Sequence, residues 1–446
     1  MMTEKHMDVA QRILIVGNGA REHALAWRCA HEGHEVLVAP GSDGIRLHAR
    51  SAPVAVADHD GLTSLAKREA MDLVIVGPEG PLVNGLADRL RSAGVTTFGP
   101  SARAAELEGS KAAAKAFMCR HGIPTAAHRT VASLEEGLAV LRKFENPPVV
   151  KASGLAAGKG VRVCDTFEQA EAAMRACMGE GRFGAAGETV VLEERLLGEE
   201  ASFFVITDGE RAVTFVPAQD HKPLLDGDRG PNTGGMGAYV PAPVFTDAVE
   251  ARVQKTIVEP TLSGLRAEGR PFCGVLFVGL MIDPAGVPTV VEYNVRFGDP
   301  ETQALLFGLN TDLVPHLLAA ARGGLEAGRL PAQPTAAVVV ASAGYPETST
   351  NGASVQGLDT VAELPDVGVF HAGTRRVGTG WVTNGGRVLT LCARGPRIDV
   401  ALDRAYAALR RVHVHGGQWR ADVGRKALLR LGIHSARSGV GAGHIR

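Results

Sequence analysis

The run Val149-Val150-Lys151-Ala152-Ser153-Gly154-Leu155-Ala156-Ala157-Gly158-Lys159-Gly160-Val161-Arg162-Val163 constrains this chain more than any other stretch, because two apolar strands enclose a small-residue loop with a lysine near each end. The pattern predicts a hairpin that holds phosphate. Glycine tolerates positive φ and carries no Cβ, so the N–H groups of such a loop can turn toward an anion while Lys151 and Lys159 add full charges. Small residues also let the loop move to admit its ligand. The run is not a Gly-x-x-x-x-Gly-Lys-[Ser/Thr] loop. Its glycine spacing is one residue short, Gly160 stands where the metal-binding hydroxyl belongs, and a β-like run follows where a helix should begin. Another ATP-binding architecture is required.

At 446 residues, 45% of them apolar, the chain exceeds one core, and domain-size statistics suggest about three domains. Its 47 basic and 48 acidic side chains leave a net charge of −1, which argues against nucleic acid or an anionic membrane surface as the main partner. Phosphate binding must then come from local placement of charge. No apolar run opens the chain and no stretch is apolar enough to span a bilayer, so a cytoplasmic protein without a leader is expected. Cys29, Cys119, Cys164, Cys177, Cys273 and Cys392 form no C-x-x-C pair and read as reduced core residues.

Residues 12–16 predict a buried strand, followed by the turn Gly17-Asn18-Gly19 and a helix over 20–31, the layout of a phosphate site at a helix N-terminus. A dinucleotide fingerprint needs a third glycine where Glu22 stands and an acidic residue after the next strand, which ends in Ala39-Pro40-Gly41, so NAD is disfavoured. Further strands at 72–76 and 95–98 indicate a doubly wound, Rossmann-like α/β domain over 1–110. A continuous helix is expected over 102–121. A second, α+β domain is expected over 111–330, with a mobile lid at about 130–196 that ends in a glycine-rich link (179–187) and a strand (189–193). Asp208-Gly209 predicts a hairpin turn, and 219–243 reads as a long irregular functional loop. Strand alternation puts Glu292, Asn294 and Arg296 on one face, and Asp299-Pro300 reads as a helix start. Residues 331–430 have the short strands of a small β-rich closing domain, and 431–446 a frayed tail.

Glu292 and Asn294 offer the oxygen ligands that Mg²⁺ takes beside nucleotide phosphates, and Arg296 can neutralise a phosphoryl group in transfer. No Gly-x-Ser-x-Gly or Cys/His pairing suggests a covalent intermediate on the enzyme, and His23 and His221 could touch substrate or bond locally. Lysines, glycine loops and metal ligands suit phosphoryl transfer and ATP-activated ligation.

The ordered motifs Gly17 to His23, Gly77-Pro78-Glu79, Glu108 to Lys111, Lys151 to Gly160, Gln219-Asp220-His221-Lys222, Pro231 to Tyr239 and Arg296 to Glu301 resemble the phosphoribosylamine–glycine ligase family of the ATP-grasp superfamily, from about residue 12 to about residue 427. The resemblance implies an ATP-grasp fold and the second step of de novo purine synthesis: glycine, ATP and 5-phospho-β-D-ribosylamine give glycinamide ribonucleotide, ADP and phosphate through a glycyl phosphate. It also implies site roles. Lys111 and Lys151 contact ATP phosphates, with Ser153, Gly154, Gly158, Lys159 and Gly160 closing over them. Glu193, Glu194, Arg195 and Leu196 meet adenine through backbone, and Glu200 takes the ribose. Glu292 and Asn294 hold Mg²⁺ or Mn²⁺. Gly17, Asn18, Gly19, Glu79, Asn232, Thr233, Gly234, Gly235, Met236, Gly237, Gly298 and Asp299 bind glycine and the ribosylamine, with Asp220, Lys222 and Arg296 catalytic. A monomer is implied, in transient contact with the upstream amidophosphoribosyltransferase. Departures from the family pattern are Ala20, Ser153, Arg195 and Val295. A sister ATP-grasp ligase and a non-catalytic nucleotide-binding module are the alternatives.

Overall fold

The structure, a computed structural model, describes residues 10–156 and 158–433. Ala157 of the glycine loop and 434–446 of the expected tail lie outside the described residues. Near the N-terminus, five short strands pair in parallel in the order Arg50–Ser51, Glu35–Pro40, Arg12–Gly17, Leu73–Val76, Thr97–Phe98. Ile13, Leu14, Ile15 and Val16 are fully buried, as expected of a parallel strand covered by helices on both faces.

The helix expected over 102–121 is broken. One helix, Ala102–Gly109, ends at Ser110, and a second, Lys111–Arg120, starts there, with the Ser110 hydroxyl accepting from Ala113 N–H. Serine competes for backbone hydrogen bonds and caps better than it continues a helix. The break points Lys111 at the glycine loop: its N–H donates to Ser153 O at 2.8 Å and its Nζ to Gly154 O at 3.3 Å.

A four-stranded antiparallel sheet follows, in the order His128–Val131, Val190–Glu193, Val149–Ala152, Val161–Arg162. It encloses a small core of its own built around Val150, Met174, Cys177 and Leu192. The glycine-rich link closes into a short helical turn, Gly184–Gly187, and Ala186 O accepts from Gly154 N–H. A second antiparallel sheet pairs Glu199–Thr207 with Gly274–Ile282, and that strand with Pro288–Asn294.

Residues 219–243, expected to be irregular, contain four short strands: Gln219–Asp220, Pro223–Leu225, Arg229–Asn232 and Gly237–Val240. Two of them join the sheet of the C-terminal region, where Gly237–Val240 pairs with Thr335–Ala341 and that strand with Arg387–Arg394. Gln219–Asp220 and Gly237–Val240 are thereby in one hydrogen-bonded sheet with the C-terminal strands, while Pro223–Leu225 and Arg229–Asn232 pair with each other. The helix expected to start at Asp299 begins at Glu301 instead (Glu301–Gly308), because the Asp299 carboxylate is taken by Gln303 and Arg387 and caps nothing. All six cysteines are free, but Cys119 is exposed and is no core residue. Among the described residues, no helix is long and apolar enough to cross a membrane.

Candidate active site

Lys151 projects from the middle of the lid sheet. Its Nζ lies 2.9 Å from Glu193 Oε2 and donates to Val291 O at 3.2 Å, which sets it beside Glu292 on the neighbouring strand. Lys115 reaches the same Glu193 oxygen at 3.1 Å. Lys115 was not expected, although its place four residues after Lys111 on one helix is the spacing that puts two side chains on one face.

Glu292, Asn294 and Arg296 come together as the alternation suggested. Arg296 Nη2 donates to Asn294 Oδ1 at 2.9 Å and pairs with Glu108 at 3.1 Å, while its Nε meets Glu79 at 3.3 Å. Burial alone would raise the Glu292 carboxyl, but Lys222, Lys151, Lys111 and Arg296 outweigh it and bring its pKa down to about 2. Burial works the other way on Lys111, lowering its pKa against the pull of Glu292. Glu108, a residue the motif contained but to which no role was attached, also accepts Val295 N–H at 2.7 Å and is pushed up by burial.

Across the cleft, Lys222 Nζ lies 2.9 Å from Glu200 Oε2. Asp220 is buried among Glu301, Glu200 and Glu292. Burial first and those carboxylates second raise its pKa to about 7, with Lys222 opposing. Glu301 is raised by burial as well and accepts from Ser202 Oγ at 3.2 Å.

Phosphoribosylglycinamide synthetase domains match in register along the chain: the N domain over residues 11–108, the ATP-grasp (A) domain over 109–302 and the C domain over 335–426. The chain belongs to the phosphoribosylglycinamide synthetase family. A phosphoribosylamine–glycine ligase of Xylella fastidiosa is 48% identical over 428 residues, covering 94% of this chain and 97% of that relative. One of Xanthomonas axonopodis pv. citri is 49% identical over 426 residues, covering 94% and 98%. The crystal structure of phosphoribosylamine–glycine ligase from Thermotoga maritima superposes with a TM-score of 0.81 at 34% identity, covering 92% of this chain and all of that one.

Other family motifs lie less simply than their spacing suggests. Lys159 is exposed near the loop tip and with Gly158 lines a cavity of about 390 Å³ that Asn232, Thr233 and Gly234 also line. Glu193 is buried and its carboxylate serves the lysines. Glu194 donates its N–H to Ala127 O, so that group is spent within the lid and cannot meet adenine. Arg195 pairs with Asp165 at 2.8 Å at the surface, and Leu196 is half-buried.

The N-terminal turn has a carboxylate of its own beside it. Glu22 folds back over it and accepts Gly19 N–H at 2.8 Å, the half of a capping box that the third helical residue supplies, since Gly19 has no side chain to return the bond. Gly17 has φ of +135°, and a Cβ there would lie 2.5 Å from Glu22 Cγ. Glu22 thus takes up one of the turn's N–H groups, and Arg21 Nε lies 2.6 Å from its other carboxylate oxygen.

The oxygens present fit a divalent cation. Glu292 is held ionised, and Asn294 Oδ1 keeps a second lone pair beside the bond from Arg296. Among the described residues, no group of three or more His, Cys, Asp or Glu side chains could hold a metal alone. An ion here would complete its shell from phosphate oxygens and water.

Proposed function

We propose that this chain ligates glycine to 5-phospho-β-D-ribosylamine at the expense of ATP, giving glycinamide ribonucleotide, ADP and phosphate, the second step of de novo purine synthesis. The observation that supports the reading is the convergence of Lys111, Lys151, Lys222 and Arg296 on the carboxylate of Glu292, with Glu108, Glu193, Glu200 and Asp220 interleaved among them. Four cationic side chains so placed can meet the oxygens of a triphosphate.

In the proposed mechanism a glycine carboxylate oxygen attacks the γ-phosphorus. The bond to ADP breaks and glycyl phosphate forms, with Lys111, Lys151 and Arg296 stabilising charge on the transferring group. Mg²⁺ or Mn²⁺, held by Glu292 and Asn294, would neutralise phosphate charge when nucleotide is bound. The ribosylamine nitrogen then attacks the glycyl carbonyl and phosphate leaves. Asp220, with its pKa near 7, accepts the proton that the nitrogen sheds. Backbone at Glu193, Arg195 and Leu196 and the Glu194 carbonyl serve adenine, and Glu200 the ribose. Glu79, Gly298, Asp299 and residues 232–237 surround the acid and the amine. The enzyme works in the cytoplasm as a monomer on small molecules, with transient contact to the upstream amidophosphoribosyltransferase.

The test is ADP release by the purified chain with each substrate withheld in turn. Turnover should require ATP, glycine and the amine together. Steady ADP release without glycine would overturn the reading.

A further inference from the structure

The motifs carry no hint of a role for the C-terminal region, yet it reaches the candidate site through two side chains. Arg387, the first residue of the strand Arg387–Arg394, donates from Nη1 to Gly234 O at 2.8 Å and to Asp299 O at 2.7 Å, and it pairs with Asp299 Oδ1 at 3.2 Å. Tyr345 accepts Gly234 N–H on its hydroxyl at 2.9 Å, and its ring packs across Gly386. Gly234 is therefore held at both its N–H and its carbonyl by C-terminal residues. Gln303 Nε2 adds a bond of 2.8 Å to Asp299 Oδ1, which fixes that oxygen and leaves Oδ2 facing the N-terminal turn, 4.0 Å from where a Cβ on Gly19 would stand.

We propose that Arg387 is a positioning residue that, with Tyr345, holds residues 233–235 and Asp299 in the geometry that receives the acid and the amine. The inference rests on the function proposed above and extends it to residues outside every motif. All of these Arg387 contacts come from the one nitrogen Nη1, whose two hydrogens bridge oxygens on two chain segments, and the planar guanidinium holds that nitrogen more rigidly than a flexible lysine stem would hold an ammonium. Both side chains also line the cavity under the loop tip, so Gly158 and Lys159 come down on the clamp side of the cleft.

The test uses the full chain, with the amine generated from ribose 5-phosphate and ammonia. Arg387→Gln should raise KM for glycine and for the amine about tenfold or more, the loss expected for a charge-assisted hydrogen bond, while ADP affinity and unfolding temperature stay near wild type. Arg387→Lys should recover part of the loss, and Tyr345→Phe should show a smaller effect of the same kind. Backbone amide exchange at Gly234 should quicken in Arg387→Gln and Tyr345→Phe whether or not the enzyme turns over. Unchanged KM for both substrates, an equal loss of ADP affinity, or unaltered exchange at Gly234 overturns the proposal. Absence of glycine-dependent turnover in the wild type would instead overturn the function proposed above, and exchange at Gly234 would still decide the clamp.

Discussion

The ammonium of Lys151 lies 2.9 Å from Oε2 of Glu193, with both side chains buried in the lid sheet. Lys115 shares that oxygen, so one carboxylate balances two cations away from water. Removing one partner of a buried ion pair strands the other, at about 3–5 kcal/mol. Glu193→Gln should therefore lower the stability of the lid by about that amount in denaturant titration. Lys151→Met leaves Glu193 paired with Lys115 and should unfold near wild type, yet bind ATP at least about tenfold more weakly in calorimetry. Wild-type stability in Glu193→Gln would show that the pair does not hold the lysine.

Glu292 is kept ionised by the four cations that surround it, and with Asn294 it makes only two side chains that offer oxygen to a metal. Metal binding should thus depend on nucleotide. Titrated with Mn²⁺ alone and followed by electron spin resonance, the protein should bind the ion weakly, and far more tightly once a non-hydrolysable ATP analogue is present. Glu292→Gln should raise the metal concentration needed for half-maximal rate by about tenfold or more. Equal Mn²⁺ affinity with and without the analogue would contradict this arrangement.

Much of the fold is readable locally, and the exceptions have identifiable causes. The parallel strands of the N-terminal sheet are continuous apolar runs because both faces are covered, so Ile13 to Val16 declare themselves. The strands within 219–243 are only two to four residues long, too short for a local periodicity to mark them, and one of them, Gly237–Val240, takes its second partner from the distant strand Thr335–Ala341. Gly109-Ser110 pairs a poor helix former with a good cap, so the break between the two helices was legible in the chain, whereas the contact of Ser110 with Ser153 was not. Glu22 was legible as a capping residue three places after Gly19, but the glycine pattern drew attention to what it replaces. Arg387 reaches the site from long range and nothing adjacent to it in the chain signals it, while Glu108 lies within a family motif but meets Arg296, far along the chain, only in the fold.

Asp220 sets a pH dependence. Its folded pKa, about 7, is above the ordinary 3.8, so the folded state holds a proton that the unfolded chain releases. That contribution to stability is complete below about 3.8 and is lost as pH rises through about 7. Catalysis runs the other way, since only the ionised form accepts a proton from the amine. kcat/KM for the amine should rise with pH through about 7 in the wild type and lose that limb in Asp220→Asn. The unfolding temperature of Asp220→Asn relative to wild type should increase between pH 5 and pH 8. A pH profile in Asp220→Asn that keeps the same limb would transfer the role to another group.

Gly154 tests whether the glycine loop is shaped by close approach. A Cβ at this position would lie 2.7 Å from both Cα and Cβ of Ala186, a backbone that no rotamer change can move aside. Gly154 also donates to Ala186 O at 3.0 Å and accepts from Lys111 Nζ at 3.3 Å, so displacing it shifts a lysine meant for phosphate. Gly154→Ala should raise KM for ATP by about tenfold or more, and overall stability should fall little because the lid sheet carries its own core. Gly179→Ala is the control: its added methyl would meet only Leu134 Cδ2, at 3.7 Å, an ordinary contact. Equal ATP kinetics in the two variants would mean that the loop tolerates a side chain at Gly154 and that its packing against the 184–187 turn does not set the position of Lys111.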